Sequence, residues 1–305
     1  MQKSADCIFV LSTKSAGSSV LQETIFRRTG FQVAPRTRHF ENETLYWTKA
    51  ASVLGLDQIA LPMSEVPIPA RRAEHELRKF LAENGAGLPA GVPSEAALFE
   101  GFRKLCQAQG GLMLEKSPHH LYQAEVIRLM ERFADASPSV RVRFIGLIRN
   151  PLDTLYSSWK RFGVPPGDEE RCWRVAYENL RELAARRPDD VRILRYEDVV
   201  SGEADVGAVL EELGIDLSED APAPVLHARS VAKWRKDPYF GHLLGAETIR
   251  IARSFGYDLP ELEGRAPRRV WRNAARYHIL RLYGLLPEAL RKSLSTARRN
   301  FARRG

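Results

Sequence analysis

The sequence predicts an α/β fold built on a parallel sheet. Three observations point there. Four short runs are rich in Val, Ile and Leu: "CIFVL" (7–11), "LMLE" (112–115), "VRFIGLI" (142–148) and "VRILRY" (191–196). Longer segments of helical periodicity separate them, and strands alternating with helices read as parallel strands joined by right-handed crossovers. Two of the strands end in short polar loops that lead directly into a helix, which is where open parallel sheets bind ligands.

The elements follow in order. Strand 7–11 feeds a helix over Ser19–Arg28, and a second helix is expected over Glu43–Leu54. Helices over Ala70–Glu83 and Ser94–Gln107 come next, bracketed by the Pro/Gly-rich loops "PMSEVPIPA" (62–70) and "ENGAGLPAGVPS" (83–94). They form a helical insertion over roughly 55–110, expected as a substrate-facing cap. After the second strand a helix is expected over His120–Phe133, with His120 capping it behind Pro118. The third strand leads to a helix over Pro151–Arg161, where Pro151 suits the first helical position. A helix over Glu169–Arg186 and the fourth strand complete the pattern, and "SEDAPAPV" (218–225) is a loop. Trp159 and Trp173 are expected in the core. Tyr46 and Trp47 are expected against the core or in an acceptor pocket.

Residues 1–263 therefore read as one α/β domain and 264–305 as a helical extension. Charge supports that division. The chain carries a net +8, yet residues 264–305 hold 12 Lys and Arg against one Glu, while the rest holds 34 against 37 Asp and Glu. Basicity is a property of the tail, so the body is not expected to bind nucleic acid. In the tail, Val270, Trp271, Ala274, Tyr277, Ile279, Leu280 and Tyr283 fall at helical spacing with basic flanks. Such a helix can lie on an anionic membrane surface, or pack on the body with its arginines in water. Cys7, Cys106 and Cys172 lie far apart, which excludes a disulfide framework or zinc pattern and fits a reducing, cytoplasmic compartment. No apolar run reaches signal-peptide or membrane-span length. A cytoplasmic protein is expected, with peripheral membrane contact through residues 264–305.

Two stretches carry chemistry. In "CIFVLSTKSAGSSVLQ" (7–22) a buried strand meets a loop of small residues, Thr13, Lys14, Ser15, Ala16, Gly17, Ser18 and Ser19. Free N–H groups at the start of the next helix, its dipole, the Lys14 charge and the serine hydroxyls suit an anionic phosphate. The loop is not a Walker A motif, because Lys14 precedes the glycine and no carboxylate for magnesium follows. The alternative is a small-residue turn with Ser18 as helix cap. In "VRFIGLIRNPLDTLYSSWKRF" (142–162), Arg149 stands at a strand end and Ser157 lies eight residues on. Together they can clamp a second phosphate. The alternative pairs Arg149 with Asp153.

Taken together, "TKSAGSS" and "IRNPLDTLYSS" resemble the PAPS-dependent sulfotransferases, of the bacterial and Golgi type. The family's second motif, R-(N/D)-P-x-D-x-x-x-S, is met in full by Arg149, Asn150, Pro151, Asp153 and Ser157. In the first, Thr13 replaces the usual Pro, while Lys14, Gly17, Ser18 and Ser19 match. "LEKSPHHL" (114–121), "LRYEDVV" (194–200) and, loosely, "ARSVAKWRKDPYFG" (228–241) are similar to further family segments. The resemblance covers roughly residues 7–240 and implies a sheet of P-loop type.

It also implies roles. The donor would be 3′-phosphoadenosine 5′-phosphosulfate (PAPS), leaving as PAP, with no metal. Lys14 would serve the bridging oxygen, and the loop from Thr13 to Ser19 the 5′-phosphate. Arg149 and Ser157 would hold the 3′-phosphate, and Lys116 would touch the sulfuryl group. Adenine would rest on Tyr196 or Trp234, with Lys233 beside it. The base remains open between His119 and His39, then Glu41, with Glu43 nearby. Thr37 stands where glycan-type members carry their catalytic glutamate. The acceptor would be a hydroxyl or amine on a saccharide, glycolipid or other lipid-linked molecule; binding of polyanions by the tail would instead suit an acidic glycan. Competing readings are a non-catalytic nucleotide- or membrane-binding protein on this scaffold and an ATP-dependent P-loop kinase.

Overall fold

The structure, a computed structural model, describes residues 5–62, 64–218 and 230–266, with positions 275, 278, 279 and 282 beyond them. All four expected strands form. Strand β1 (Ala5–Ser12) lies between β2 (Leu112–Lys116) and β3 (Val140–Ile148), and β3 pairs with β4 (Val191–Arg195). Every pairing is parallel, and β1 runs beside β3 from Ala5 opposite Val140 to Ser12 opposite Leu147.

The central strand is apolar on both faces because both faces are covered. Cys7, Phe9 and Leu11 point into one core, Ile8 and Val10 into the other. The first core takes residues of α2 (Tyr46–Val53), α3 (Ala70–Glu83), α4 (Glu95–Ala108), α5 (Ala124–Ala136) and α7 (Pro166–Arg186). The second takes α1 (Ser18–Arg28) and two helices outside the expected set, α8 (Tyr196–Ser201) and α9 (Val206–Glu212). The helix α6 (Pro151–Phe162) follows β3 as expected, and α10 (Ala246–Ser254) and α11 (Leu259–Leu262) close the described body.

Packing fixes where the loops stand. The Trp47 ring lies 4.8 Å from Phe102 and 5.0 Å from Phe133, and Phe9 lies 5.7 Å from Phe102. That aromatic cluster anchors α2 to the sheet, so Tyr46 and Trp47 are core rather than pocket. On β3, a side chain at Gly146 would meet Leu180 at 2.7 Å, so α7 rests directly on the strand. Trp159 and Trp173 are buried, as their helical phase predicts.

Three expectations change. The helices of the insertion are core and only its first loop faces the cavity: Leu77, Phe80, Leu81, Leu98, Phe102 and Leu105 bury the apolar stripes of α3 and α4 in the sheet's own core, while Pro62, Ser64 and Glu65 line the cavity. Helix α2 begins at Tyr46 instead of Glu43, because the Ser117 hydroxyl takes the N–H groups of Thr44 and Leu45 at 3.1 Å each. Helix α5 begins at Ala124, and His120 does not cap it; Pro118–His120 form a 3-10 turn, and the fully buried His120 meets the Thr48 hydroxyl at 2.8 Å. The extension boundary also shifts. Arg265 bonds the carbonyls of Trp234, Arg235 and Phe240, so the body continues through it. Nearly all of the amphipathic tail, and most of loop 218–225, lie outside the described residues.

Candidate active site

The carboxyl ends of β1, β2 and β3 open onto one cavity of about 680 Å³. The loop after β1 forms its floor, supplying Lys14, Ser15, Gly17, Ser18 and Ser19. Ser15 (φ 65°) and Gly17 (φ 96°) take left-handed backbone, which bends the chain sharply between β1 and α1. Only glycine suits position 17: besides its φ, a side chain there would collide with the Tyr196 ring. Helix α1 starts at Gly17 with no side-chain cap, so Ser18 is not a cap and the helix N-terminus faces the cavity. The fully buried Thr13 hydroxyl lies 3.1 Å from the Tyr177 hydroxyl, and the Tyr122 hydroxyl accepts from the Lys14 N–H at 2.8 Å. Thr13 and the buried Ala16 shape the loop; they do not line the cavity. Burial lowers the Lys14 pKa, against the opposing pull of Glu169 and Glu43.

Arg149, at the end of β3, is 5% exposed yet lines the cavity. Its guanidinium donates to the Ser15 carbonyl at 2.8 Å and the Ser230 carbonyl at 2.7 Å, and its Nε has no partner. The alternative pairing with Asp153 does not form: Asp153 accepts from the Ala232 N–H at 2.9 Å. Among the described residues no carboxylate lies within 4 Å of Arg149. Asp153 acts on Arg149 only through space, and the direct partners of the guanidinium are two carbonyls and the Tyr196 ring, none of them charged. Ser157 lines the same corner.

A row of acids and histidines faces the loop. Lys116, fully buried at the end of β2, has its ammonium 3.5 Å from the Ser19 hydroxyl, 3.6 Å from Glu43 and 3.7 Å from Glu41. Glu41 also accepts from the Ser19 hydroxyl. Lys116 therefore lies behind the acids that cover it and is not on the cavity wall, contrary to direct contact with a sulfuryl group. His119 Nδ1 lies 3.5 Å from Glu43 Oε2. Burial lowers the His119 pKa, against the pull of Glu43. Burial also pushes the Glu43 carboxyl up, but His119 and Lys116 outweigh it and hold it below its ordinary value.

Glu43 is placed from beneath. The fully buried Glu115 carboxylate accepts from Thr44 and Ser117 at 2.6 Å each, and Ser117 in turn accepts the two backbone N–H groups after Glu43. His39 is placed differently. Its Nε2 accepts from the Lys49 ammonium at 2.9 Å, and its Nδ1 lies 3.5 Å from Glu65. The lone pair a base needs is engaged, which removes His39 as the base in this arrangement.

Further lining comes from α6, the turn after it and the start of α7: Ser157, Ser158, Phe162, Val164 and Glu169. Glu169 is buried, and its Oε2 accepts from the Ser158 hydroxyl at 2.8 Å. Burial raises its pKa, against Ser158 and Lys14.

A sequence profile of the sulfotransferase family matches residues 7–219. The chain belongs to that family. Two solved structures share the sulfotransferase fold. The sulfotransferase domain of the Synechococcus PCC 7002 olefin synthase matches with a TM-score of 0.57 and 19% identity, over 85% of this chain and 98% of its own. The sulfotransferase domain from the curacin biosynthetic pathway matches with a TM-score of 0.51 and 18% identity, over 85% of this chain and 100% of its own. A search of curated proteins finds no match.

In this sulfotransferase the segment after residue 229 departs from expectation. Trp234 is buried among Leu152, Leu155, Trp159 and Phe240, and Lys233 is exposed away from the cavity. Neither lines the cavity, and the apolar face of α6 holds the indole. Tyr196 is also no free platform for adenine. Arg149 lies over its ring, Gly17 abuts it, and its hydroxyl meets the Ser230 hydroxyl at 2.5 Å. It begins α8 instead of ending β4. Glu169, Ser158, Phe162 and Val164 were not singled out as site residues by the sequence reasoning.

Proposed function

We propose that this sulfotransferase moves a sulfuryl group from PAPS to a hydroxyl or amine acceptor. The buried Arg149 guanidinium, which has no carboxylate within 4 Å among the described residues and lines the same cavity as Ser157, carries the reading. It suits the 3′-phosphate that distinguishes PAPS from other nucleotides, by charge-assisted hydrogen bonds. Lys14, Ser18, Ser19 and the start of α1 would hold the 5′-phosphate. Lys14 would neutralise charge arriving on the bridging oxygen, which is electrostatic catalysis by a preplaced cation.

The acceptor oxygen or nitrogen forms a bond to sulfur as the bond from sulfur to the bridging phosphate oxygen breaks, releasing PAP. The acceptor proton must go to a base. Glu43 and His119 stand together on the cavity wall, held by Lys116 from behind and by Ser117 from below. His119, neutral at physiological pH, takes the proton, and Glu43 steadies the imidazolium. Glu41, bonded to Ser19, tunes the loop instead. A saccharide, glycolipid or other lipid-linked acceptor would draw on the tail beyond Arg265 as a membrane contact. The three cysteines, all free and buried, suit a cytoplasmic setting. No helix among the described residues is long and apolar enough to cross a membrane.

A thermal-melt comparison with PAP, 5′-AMP and ATP–magnesium tests the donor. Ligand at a hundred times its Kd adds about 2.7 kcal/mol of stability. A shift with PAP alone supports the reading; a shift with ATP–magnesium and none with PAP overturns it.

A further inference from the structure

The cavity's two halves differ in charge. Lys14 and Arg149 belong to the half built by the two strand-end loops, while Glu41, Glu43, Glu65 and Glu169 line the rest. Three of these acids already have cations. Glu43 and Glu41 lie 3.6 and 3.7 Å from Lys116, and Glu65 is paired with Arg72. Arg161 stands at the rim, half exposed and 4.0 Å from Glu41.

Glu169 has no such partner. It is 4% exposed, and no Lys, Arg or His nitrogen lies within 4 Å of it among the described residues. Ser158 satisfies Oε2, but the buried Oε1 has no hydrogen-bond partner. A buried carboxyl oxygen without a donor is destabilising, and its complement is an O–H or N–H group. Apolar surface from Leu45, Phe162 and Val164 lines the same space.

We propose that Glu169 recognises the acceptor, taking a hydrogen bond from its hydroxyl or ammonium group, and that the site selects neutral or cationic acceptors with an apolar body over anionic ones. The inference rests on the PAPS reading above. The reacting end of PAPS is fully ionised and has no hydrogen to give, and Lys14, which acts on Glu169 from beyond 4 Å, is engaged by the phosphate in that reading, so the donor to Oε1 comes from the acceptor. With PAPS bound, its negative charges add to that of Glu169, the wall acid without a cation, and an anionic acceptor meets repulsion on both sides. An acidic glycan is thereby disfavoured.

The test uses three probes with the same apolar body: 2-phenylethylammonium, 2-phenylethanol and 3-phenylpropionate. Each is titrated by calorimetry and ligand-observed NMR into the full chain saturated with PAP. The ammonium and the alcohol should bind, and the carboxylate at least tenfold more weakly. Glu169→Gln should weaken the ammonium at least tenfold without weakening PAP, since it removes a negative charge that acts on Lys14; a melt without ligand checks that the variant is folded. Glu169→Asp, which keeps the charge and withdraws the oxygen, should weaken both probes while still rejecting the carboxylate. Equal binding of the carboxylate overturns the proposal. So do unaltered probe affinities in Glu169→Gln, or no probe binding to a PAP complex that forms normally. The donor reading is judged separately, by titration of PAP alone.

Discussion

The guanidinium of Arg149 lies over the ring of Tyr196, 4.6 Å from its centroid. The same ring fills the space a side chain on Gly17 would need. One aromatic side chain thus sets the spacing between the two loops expected to hold the two phosphates of one nucleotide.

Replacement of that arginine should abolish discrimination between PAP and 5′-AMP. Truncating a buried, hydrogen-bonded charge facing an anion costs about 2–5 kcal/mol, so Arg149→Ala should weaken PAP at least about thirtyfold. Arg149→Lys should rescue only part of this, because a lysine cannot bond Ser15, Ser230 and a phosphate with one planar fork. Calorimetric titration of both nucleotides reads the difference.

The base should show in the pH profile. Burial holds the His119 pKa below its ordinary value, so the neutral, proton-accepting form persists to lower pH. Turnover should fall on acidification through a pKa below about 6.5. His119→Ala should lower kcat by roughly 10²–10⁴-fold, and Glu43→Gln should also lower it, with PAP affinity retained in both. Stability follows the same sign. The unfolded chain binds the His119 proton first, so the contribution of this site is lost as pH falls below about 6.5.

Ser117 positions Glu43 without reaching the cavity. Ser117→Ala leaves the N–H groups of Thr44 and Leu45 unpaired and removes one donor to the buried Glu115. A loss of about 1–3 kcal/mol is expected in denaturant melts, as for an unsatisfied buried group. At temperatures where the variant is folded, kcat should fall while PAP affinity holds. Ser117→Thr, which keeps the hydroxyl, should restore turnover.

A second acid-sensitive point lies away from the site. Glu170 lies 2.6 Å from His242, accepts from the Gly245 N–H at 2.8 Å, and bonds Thr248, tying α10 to α7. Burial pushes its carboxyl up, but His242, Thr248 and Gly245 outweigh it and bring the pKa to about 2. A depressed carboxyl contributes stability above its unfolded pKa that is lost as pH falls toward the folded one. Wild type should therefore lose stability between about pH 4.5 and 2, and Glu170→Gln should flatten that part of the melt-against-pH curve.

Some of the site is legible in the sequence alone. Lys14, Gly17 and Arg149 sit where a strand ends and a helix begins, and Ser157 lies two turns into the helix after Arg149, so local chain geometry turns them toward one edge of the sheet. Glu169 carried a signal that went unused: with Trp173, Ala176 and Leu180 it lies on the buried stripe of α7, so a carboxylate there had to be buried too. Tyr196 and Trp234 misled because an aromatic residue near a strand end or basic loop packs equally well inward. His39 misled for a related reason. Its partner Lys49 lies on α2, whose buried lysine looks in sequence like any exposed helix residue.

The sequence by itself determined the parallel strands, the helices between them and the two strand-to-helix loops that meet at the cavity, because apolar periodicity and strand-to-helix turns are local properties of the chain. Tertiary structure decided the rest. Which acid meets which cation, whether a histidine keeps a free lone pair, and which buried oxygen lacks a donor all depend on residues distant in sequence. Glu43 faces His119 because Ser117 pins its loop, and Arg149 has carbonyl partners and no carboxylate within 4 Å among the described residues because Asp153 accepts from Ala232 instead. Such contacts are set by close packing of whole elements, and no spacing along the chain encodes them.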